Sequence, residues 1–144
     1  MTHRNYNPEE VSRAYTRLYS FYPKAVCSTD WYGKPDRRPT RWIVEVNGTT
    51  SKPMNKATAA RYMNEICDAA LTVRNEVKSA MKYFDQRGII SVSVDDVVEH
   101  FGGMIDRTYV EGCMHYLMNC GLLCKVTSVQ YGTEYQLGKY NFDD

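Results

Sequence analysis

Residues 76–137, EVKSAMKYFDQRGIISVSVDDVVEHFGGMIDRTYVEGCMHYLMNCGLLCKVTSVQYGTEYQL, decide the fold of this chain. The stretch opens on an amphipathic helix end, with Val77, Ala80, Met81 and Phe84 at helical spacing, and stops at Arg87-Gly88. A β-rich run follows, Ile89-Ile90-Ser91-Val92-Ser93, and then a brief helix from Val94 to Phe101. Ser93 with Asp96 in the third helical position forms a capping box, and Gly102-Gly103 turns the chain. Asp106 caps a longer helix, Arg107 to Cys120, which Gly121 ends. A hairpin closes the unit: Leu122 to Val129, a tip at Gln130-Tyr131-Gly132-Thr133, then Glu134 to Leu137. Leu123, Val126, Val129, Tyr135 and Leu137 supply its inward residues.

Helix, strand, short helix, turn, longer helix, two-stranded wing: over about residues 76–137 this order resembles the winged helix-turn-helix superfamily. The resemblance implies that the longer helix enters a DNA major groove while the wing touches backbone. At about 100° per residue, Tyr109, Val110, Cys113, Tyr116, Leu117 and Cys120 fall on one arc and are expected in the core. The opposite arc presents Arg107, Thr108, Glu111, Met114, His115, Met118 and Asn119. Only Arg107 is a firm cation there, Glu111 meets phosphate unfavourably, and the wing tip around Tyr131 carries no Lys or Arg. Glu111, Met114, His115, Met118 and Tyr131 therefore read as a protein-contact face.

Upstream, apolar positions Ala59, Met63, Ile66, Ala70, Val73, Val77, Ala80 and Phe84 alternate in steps of four and three, a heptad seam with no internal Gly or Pro. Residues 55–87 are thus one long connecting helix, or two helices that break near Leu71-Thr72. The seam packs on the rest of the chain or pairs with a second copy in a homodimer. Asn7-Pro8-Glu9-Glu10 starts an N-terminal helix carrying Val11, Tyr15, Leu18, Tyr19 and Tyr22, which Pro23 ends. Arg41 to Val46 and Thr49 to Lys52 read as a hairpin around Asn47-Gly48, where both positions accept positive φ. The expected class is α+β: residues 1–54 as N-terminal helix and basic hairpin region, 55–87 as connector, and 76–144 as the winged unit with an acidic tail.

Charge divides the chain. Residues 1–93 hold fifteen Lys/Arg against nine Asp/Glu, or +6, while residues 94–144 hold three against eight, or −5. Lys34, Arg37, Arg38 and Arg41 sit among Trp31, Tyr32 and Trp42, a mixture that grips phosphate and stacks on bases. Arg74, Lys78 and Lys82 recur every fourth residue as a ribbon that can track a backbone. The bland counterparts are a packed Trp pair beside a loop and a solvated helix face.

Five cysteines, odd in number and irregular in spacing, argue against a secreted disulfide framework. Cys113 and Cys120 lie two helical turns apart, roughly 10 Å, too far for two thiolates on one zinc. They read as small hydrophobes, and no metal or other cofactor is expected. No apolar leader and no long apolar run occur, so the chain reads as cytosolic, with no membrane contact. Three scattered histidines, adjacent carboxylates only at a helix start and in the tail, and no phosphate loop or nucleophile motif argue against an enzyme.

Two functions remain. One is a small nucleic-acid-binding regulator or accessory factor that grips phosphate with its basic front half. The other is a protein-binding inhibitor whose acidic winged half occupies a nucleic-acid site on a host enzyme. A compact Tyr- and Met-rich chain without catalytic motif resembles the small accessory proteins of phages, many of which inhibit host enzymes.

Overall fold

The structure, a computed structural model, describes residues 8–29, 41–128 and 132–137. The class is α+β, with five helices and two small antiparallel sheets among the described residues. In chain order these are α1 (Pro8–Phe21), β1 (Val26–Thr29), β2 (Trp42–Val46), β3 (Thr49–Thr50), α2 (Lys56–Thr72), α3 (Arg74–Gln86), α4 (Val94–His100), α5 (Arg107–Asn119), β4 (Leu123–Ser128) and β5 (Gly132–Leu137). The chain divides into two compact units, Met1–Cys67 and Asp68–Asp144. No helix among the described residues is long and apolar enough to cross a membrane.

In the first unit, α1 buries Val11, Ala14, Leu18 and Phe21 along one stripe, while Tyr19 stays 54% exposed. Arg17 donates to Asn64 Oδ1 on α2 at 2.9 Å, and the Tyr15 hydroxyl donates to the Ala25 carbonyl at 3.0 Å. The first bond ties α1 to α2, and the second ties it to the turn leading into β1. Sheet order is β1-β2-β3, and β1 pairs antiparallel with β2 along its whole length. Asn47 and Gly48 turn the β2–β3 hairpin with φ of 51° and 82°, the pair of positive values that matches strand twist.

The returning strand is shorter than the expected Thr49 to Lys52. Ser51 N–H donates to Val44 O at 2.8 Å, and the Ser51 hydroxyl accepts from Val44 N–H at 2.9 Å. Trp42 and Met54 then exchange bonds of 2.7 and 2.9 Å. From Ser51 to Met54 the chain takes one more step than from Val44 to Trp42, so a bulge absorbs Lys52-Pro53. Pro53, which has no N–H to offer a ladder, sits where none is needed.

The helical stretch is two helices. They part at Val73 (φ −97°, ψ 11°), one residue beyond the expected Leu71-Thr72. The Thr72 hydroxyl donates to the Ala69 carbonyl at 2.6 Å, a bond that competes with helix continuation next to a second β-branched residue. The heptad seam is buried within the single chain: Ala59, Met63, Ala70, Val77 and Ala80 are all fully inaccessible. These five seam positions pack on the rest of the chain, the first of the two expected arrangements.

The second unit is built on α3, α4, α5 and the β4–β5 hairpin. Its core gathers Val77 and Met81 from α3, Val97 from α4, Val110, Cys113, Met114 and Leu117 from α5, and Leu123 and Tyr135 from the hairpin. Each Leu or Met so buried stabilises the fold by about 1.5–3 kcal/mol. Helix ends fix the path. Past α3, Gly88 at φ 76° lets its N–H reach Asp85 O, and Ile89 N–H reaches Phe84 O at 3.0 Å. Gly121 at φ 82° repeats the arrangement past α5, with Leu122 N–H on Leu117 O. The Ser93–Asp96 capping box forms in full at the start of α4, and Asp106 caps α5 through Thr108 N–H at 2.8 Å.

The expected run Ile89 to Ser93 is not a continuous strand. Ile89 belongs to the end of α3, and Ile90 is 77% exposed. Only Val92 pairs, exchanging two 2.8 Å bonds with Tyr135 of β5.

Candidate recognition surfaces

α5 is the element on which a groove-reading function depends, and its buried arc differs from the expected one. Val110, Cys113, Met114 and Leu117 are all fully buried, which centres the arc about 50° away from the expected position. Met114 is thus a core residue and not a contact residue. Met118 is half-buried against the same core, while Cys120, expected inside, is exposed. The outward side keeps Arg107, Thr108, Glu111, His115 and Asn119.

Arg107 is held by two carboxylates. Its Nε donates to Asp95 Oδ1 at 2.7 Å, and a terminal guanidinium nitrogen donates to Glu111 Oε1 at 2.9 Å. The hydrogen bond to Asp95 is the chief cause of the upward shift in the Arg107 pKa. A cation spent on two anions leaves this end of α4 and α5 net negative, with Asp96, Glu99 and Asp106 close by in sequence. The site that a major-groove reader needs positive is acidic here.

Behind Glu111 the surface meets the hairpin. Burial, then the Glu111 carboxylate, pushes the Tyr135 phenol upward. His115, half-buried, is pushed below the usual imidazole range by burial and then by the Lys125 ammonium.

A second surface, not legible as a site in the sequence, lies where α3 and α4 end. The Tyr83 and His100 rings stand 4.5 Å apart, His100 lies 5.4 Å from Phe84 and 4.8 Å from Phe101, and the Arg87 guanidinium sits 3.5 Å from the centre of the Tyr83 ring. Tyr83 and Arg87 are one helical turn apart, a pairing that sequence spacing alone could have suggested. His100 comes from another helix, and no local pattern announces it.

The upstream cations are not brought together by the described residues. Arg41 is exposed at the start of β2 and Trp42 is half-buried with its backbone bridged to Met54. Trp31, Lys34, Arg37 and Arg38 lie outside the described residues, as does Tyr131 at the hairpin tip. Arg74 is exposed, and Lys78 and Lys82 are half-buried along one flank of α3. A groove of about 650 Å³ between α1 and α2 is lined by Arg13, Arg17 and Lys56 with Glu9, Glu10 and Asn64, a balanced rather than a cationic set.

Among the described residues no group of three or more His, Cys, Asp or Glu is placed to hold a metal. Comparison with protein-family models, with curated proteins and with solved structures finds no match for this chain.

Proposed function

We propose that this chain is a non-enzymatic accessory protein that works by binding another protein through the acidic face of α4 and α5, carried on a winged-helix unit. The order of α3, α4, α5, β4 and β5 supports the winged-helix reading, as does the Val92–Tyr135 bridge, which adds a minimal third strand to the hairpin. The observation that carries the function is the clamp on Arg107. The one cation that could face phosphate from α5 is neutralised by Asp95 and Glu111, so the face suits a basic protein surface and repels a nucleic acid. The competing reading, phosphate contact through the basic front half, rests mainly on Lys34, Arg37, Arg38 and Arg41.

One experiment separates the two. Retention on mixed-sequence DNA and RNA is measured across a salt series, beside capture of a stoichiometric protein partner by the wild type and by Asp95→Asn/Glu111→Gln. Weak nucleic-acid retention at low salt, with a captured partner that the double variant loses, is the expected result. Micromolar or tighter retention that falls steeply with salt and disappears in Lys34→Ala/Arg37→Ala/Arg38→Ala/Arg41→Ala overturns the proposal in favour of the front half.

A further inference from the structure

The β2–β3 turn presents a reactive pair at the surface of the first unit. Asn47 and Gly48 are both exposed, at φ 51° and 82°, and a Cβ added at Gly48 would meet nothing within 4 Å. A turn of this kind is closed by a bond between its outer residues, here the paired Val46 and Thr49, which leaves the Gly48 N–H outside it. The ladder beyond is short. β3 is Thr49–Thr50, both exposed, and Lys52-Pro53 interrupts the pairing before Met54 is reached. So short a ladder lets the turn open locally, without unfolding of the unit.

The other asparagines within the described residues are placed differently. Asn55 caps α2, its Oδ1 accepting from Thr58 N–H at 2.8 Å. Asn64 Oδ1 accepts from Arg17 at 2.9 Å, and its side-chain amide donates to Ala60 O at 3.1 Å. Asn75 and Asn119 lie in α3 and α5, where regular helical φ and ψ fix the next peptide nitrogen. Lys56, Glu65, Glu76 and Cys120 follow these four, and each brings a side chain that crowds its own nitrogen. Gly48 brings none, so the backbone approaches the Asn47 carboxamide freely.

We propose that Asn47, a side chain of a thermolabile type, is a site of spontaneous deamidation. The Gly48 nitrogen gives its proton to water and bonds to Asn47 Cγ; the Cγ–Nδ2 bond breaks, ammonia leaves and a succinimide ring closes. Water then reopens the ring. Attack at Cγ restores the backbone and leaves aspartate, while attack at the backbone carbonyl carbon leaves isoaspartate, with the chain routed through the former side chain. One water is consumed and one ammonia released, and no electrons change hands. Aspartate keeps the turn, because Asp-Gly favours the same geometry. Isoaspartate lengthens the backbone of a two-residue turn and disturbs the Val46–Thr49 and Glu45–Thr50 register beside the buried Val44 and Val46.

The test incubates the full chain in warm, mildly alkaline buffer, folded and in urea, and maps the conversion of each asparagine by mass spectrometry of digested protein. Isoaspartate is read as methyl acceptance from an isoaspartyl methyltransferase. In the folded chain Asn47 is expected to convert at least about ten-fold faster than Asn55, at a rate within about ten-fold of that in urea. Asn47→Gly, which keeps a turn-forming pair and removes the carboxamide, is expected to abolish methyl acceptance. The aged, isoaspartate-containing fraction is expected to unfold at lower urea than Asn47→Asp. Conversion at Asn47 no faster than at Asn55 overturns the assignment. So does a folded-state rate more than about ten-fold below that in urea, because the turn then protects its own asparagine. Methyl acceptance that survives Asn47→Gly, or an aged fraction as stable as Asn47→Asp, overturns it as well.

Discussion

Val92 and Tyr135 exchange both of their backbone hydrogen bonds, each 2.8 Å long, and are nearly inaccessible at 1% and 4% exposure. This single bridge ties the segment between α3 and α4 to the hairpin beyond α5. Ser91 adds a side-chain bond to Glu134 beside it. Because both groups are buried, losing one donor strands a carbonyl without water to replace it. Val92→Pro removes the N–H and is expected to destabilise the second unit by at least about 1–3 kcal/mol, whereas Ile90→Pro, two residues upstream and exposed, is expected to cost less. Urea unfolding followed by far-ultraviolet circular dichroism measures both; equal losses would mean that the bridge adds nothing.

Met114 decides which way α5 faces. It is fully buried, whereas Asn119 on the same helix is exposed. Met114→Ala is expected to lower stability by about 2–5 kcal/mol, and Asn119→Ala by less than about 0.5 kcal/mol. Chemical denaturation of the two variants checks the rotation of the helix. A neutral Met114→Ala would restore the residue to the surface.

The difference between what could and could not be read from sequence lies in range. The Asn47-Gly48 turn, the Ser93–Asp96 box and the glycine ends of α3 and α5 are local chemistry, settled within five residues, and each was legible. The facing of α5 was not, because Tyr109, Val110, Cys113, Met114, Tyr116, Leu117, Met118 and Cys120 spread over about 200° of its circumference. Several overlapping arcs of such a helix look apolar, and the neighbours in space choose among them. Ile89-Ile90 reads as strand from its β-branched residues, yet Gly88 hands Ile89 to the end of α3 before a ladder can begin. The stack of His100 on Tyr83 needs two helices to meet, and so does the half of the Arg107 clamp that Asp95 of α4 supplies. Neither could be derived from periodicity, whereas the Glu111 half is a pair one turn apart on α5 itself.

The cysteines should divide by reactivity. Cys113 is fully inaccessible, and burial pushes its thiol up to about 12, while Cys67 is equally inaccessible. Cys120 and Cys124 are exposed. Iodoacetamide at neutral pH is expected to modify Cys120 and Cys124 in the folded protein and to reach Cys67 and Cys113 only after denaturation. Mass spectrometry of digested protein reads the pattern, and rapid modification of Cys113 without denaturant would contradict the core described for α5.

Arg107 is half-exposed, as is its partner Asp95, at 54% and 73% of the side chain. Such a pair contributes little to stability, so Arg107→Ala is expected to cost only about 0.2–1 kcal/mol. Its effect on partner capture should run the other way, since removing the cation leaves the Asp95 and Glu111 carboxylates uncompensated and makes the face more acidic. Capture that tightens at low salt, with thermal stability nearly unchanged, is the expected result. Capture lost together with Arg107 would show that the guanidinium itself makes the contact.

His115 gives the second unit a dependence on pH whose sign is set by its surroundings. Burial, and then the Lys125 ammonium, hold its folded-state pKa below the ordinary value of about 6.5. In the window between the two values the unfolded chain carries more protons than the folded one, so stability falls as pH falls. The contribution of His115 is fully present above about pH 6.5, is lost progressively as pH drops towards the folded-state pKa, and changes no further below it. Denaturation midpoints measured at about pH 7.5 and about pH 5.5 should therefore differ less in His115→Gln than in the wild type, because glutamine does not titrate. Lys125→Met should also reduce the difference, by removing the second cause and leaving burial in place. An identical pH response in wild type and His115→Gln would move the acid sensitivity to other groups and leave the half-buried imidazole without a part in it.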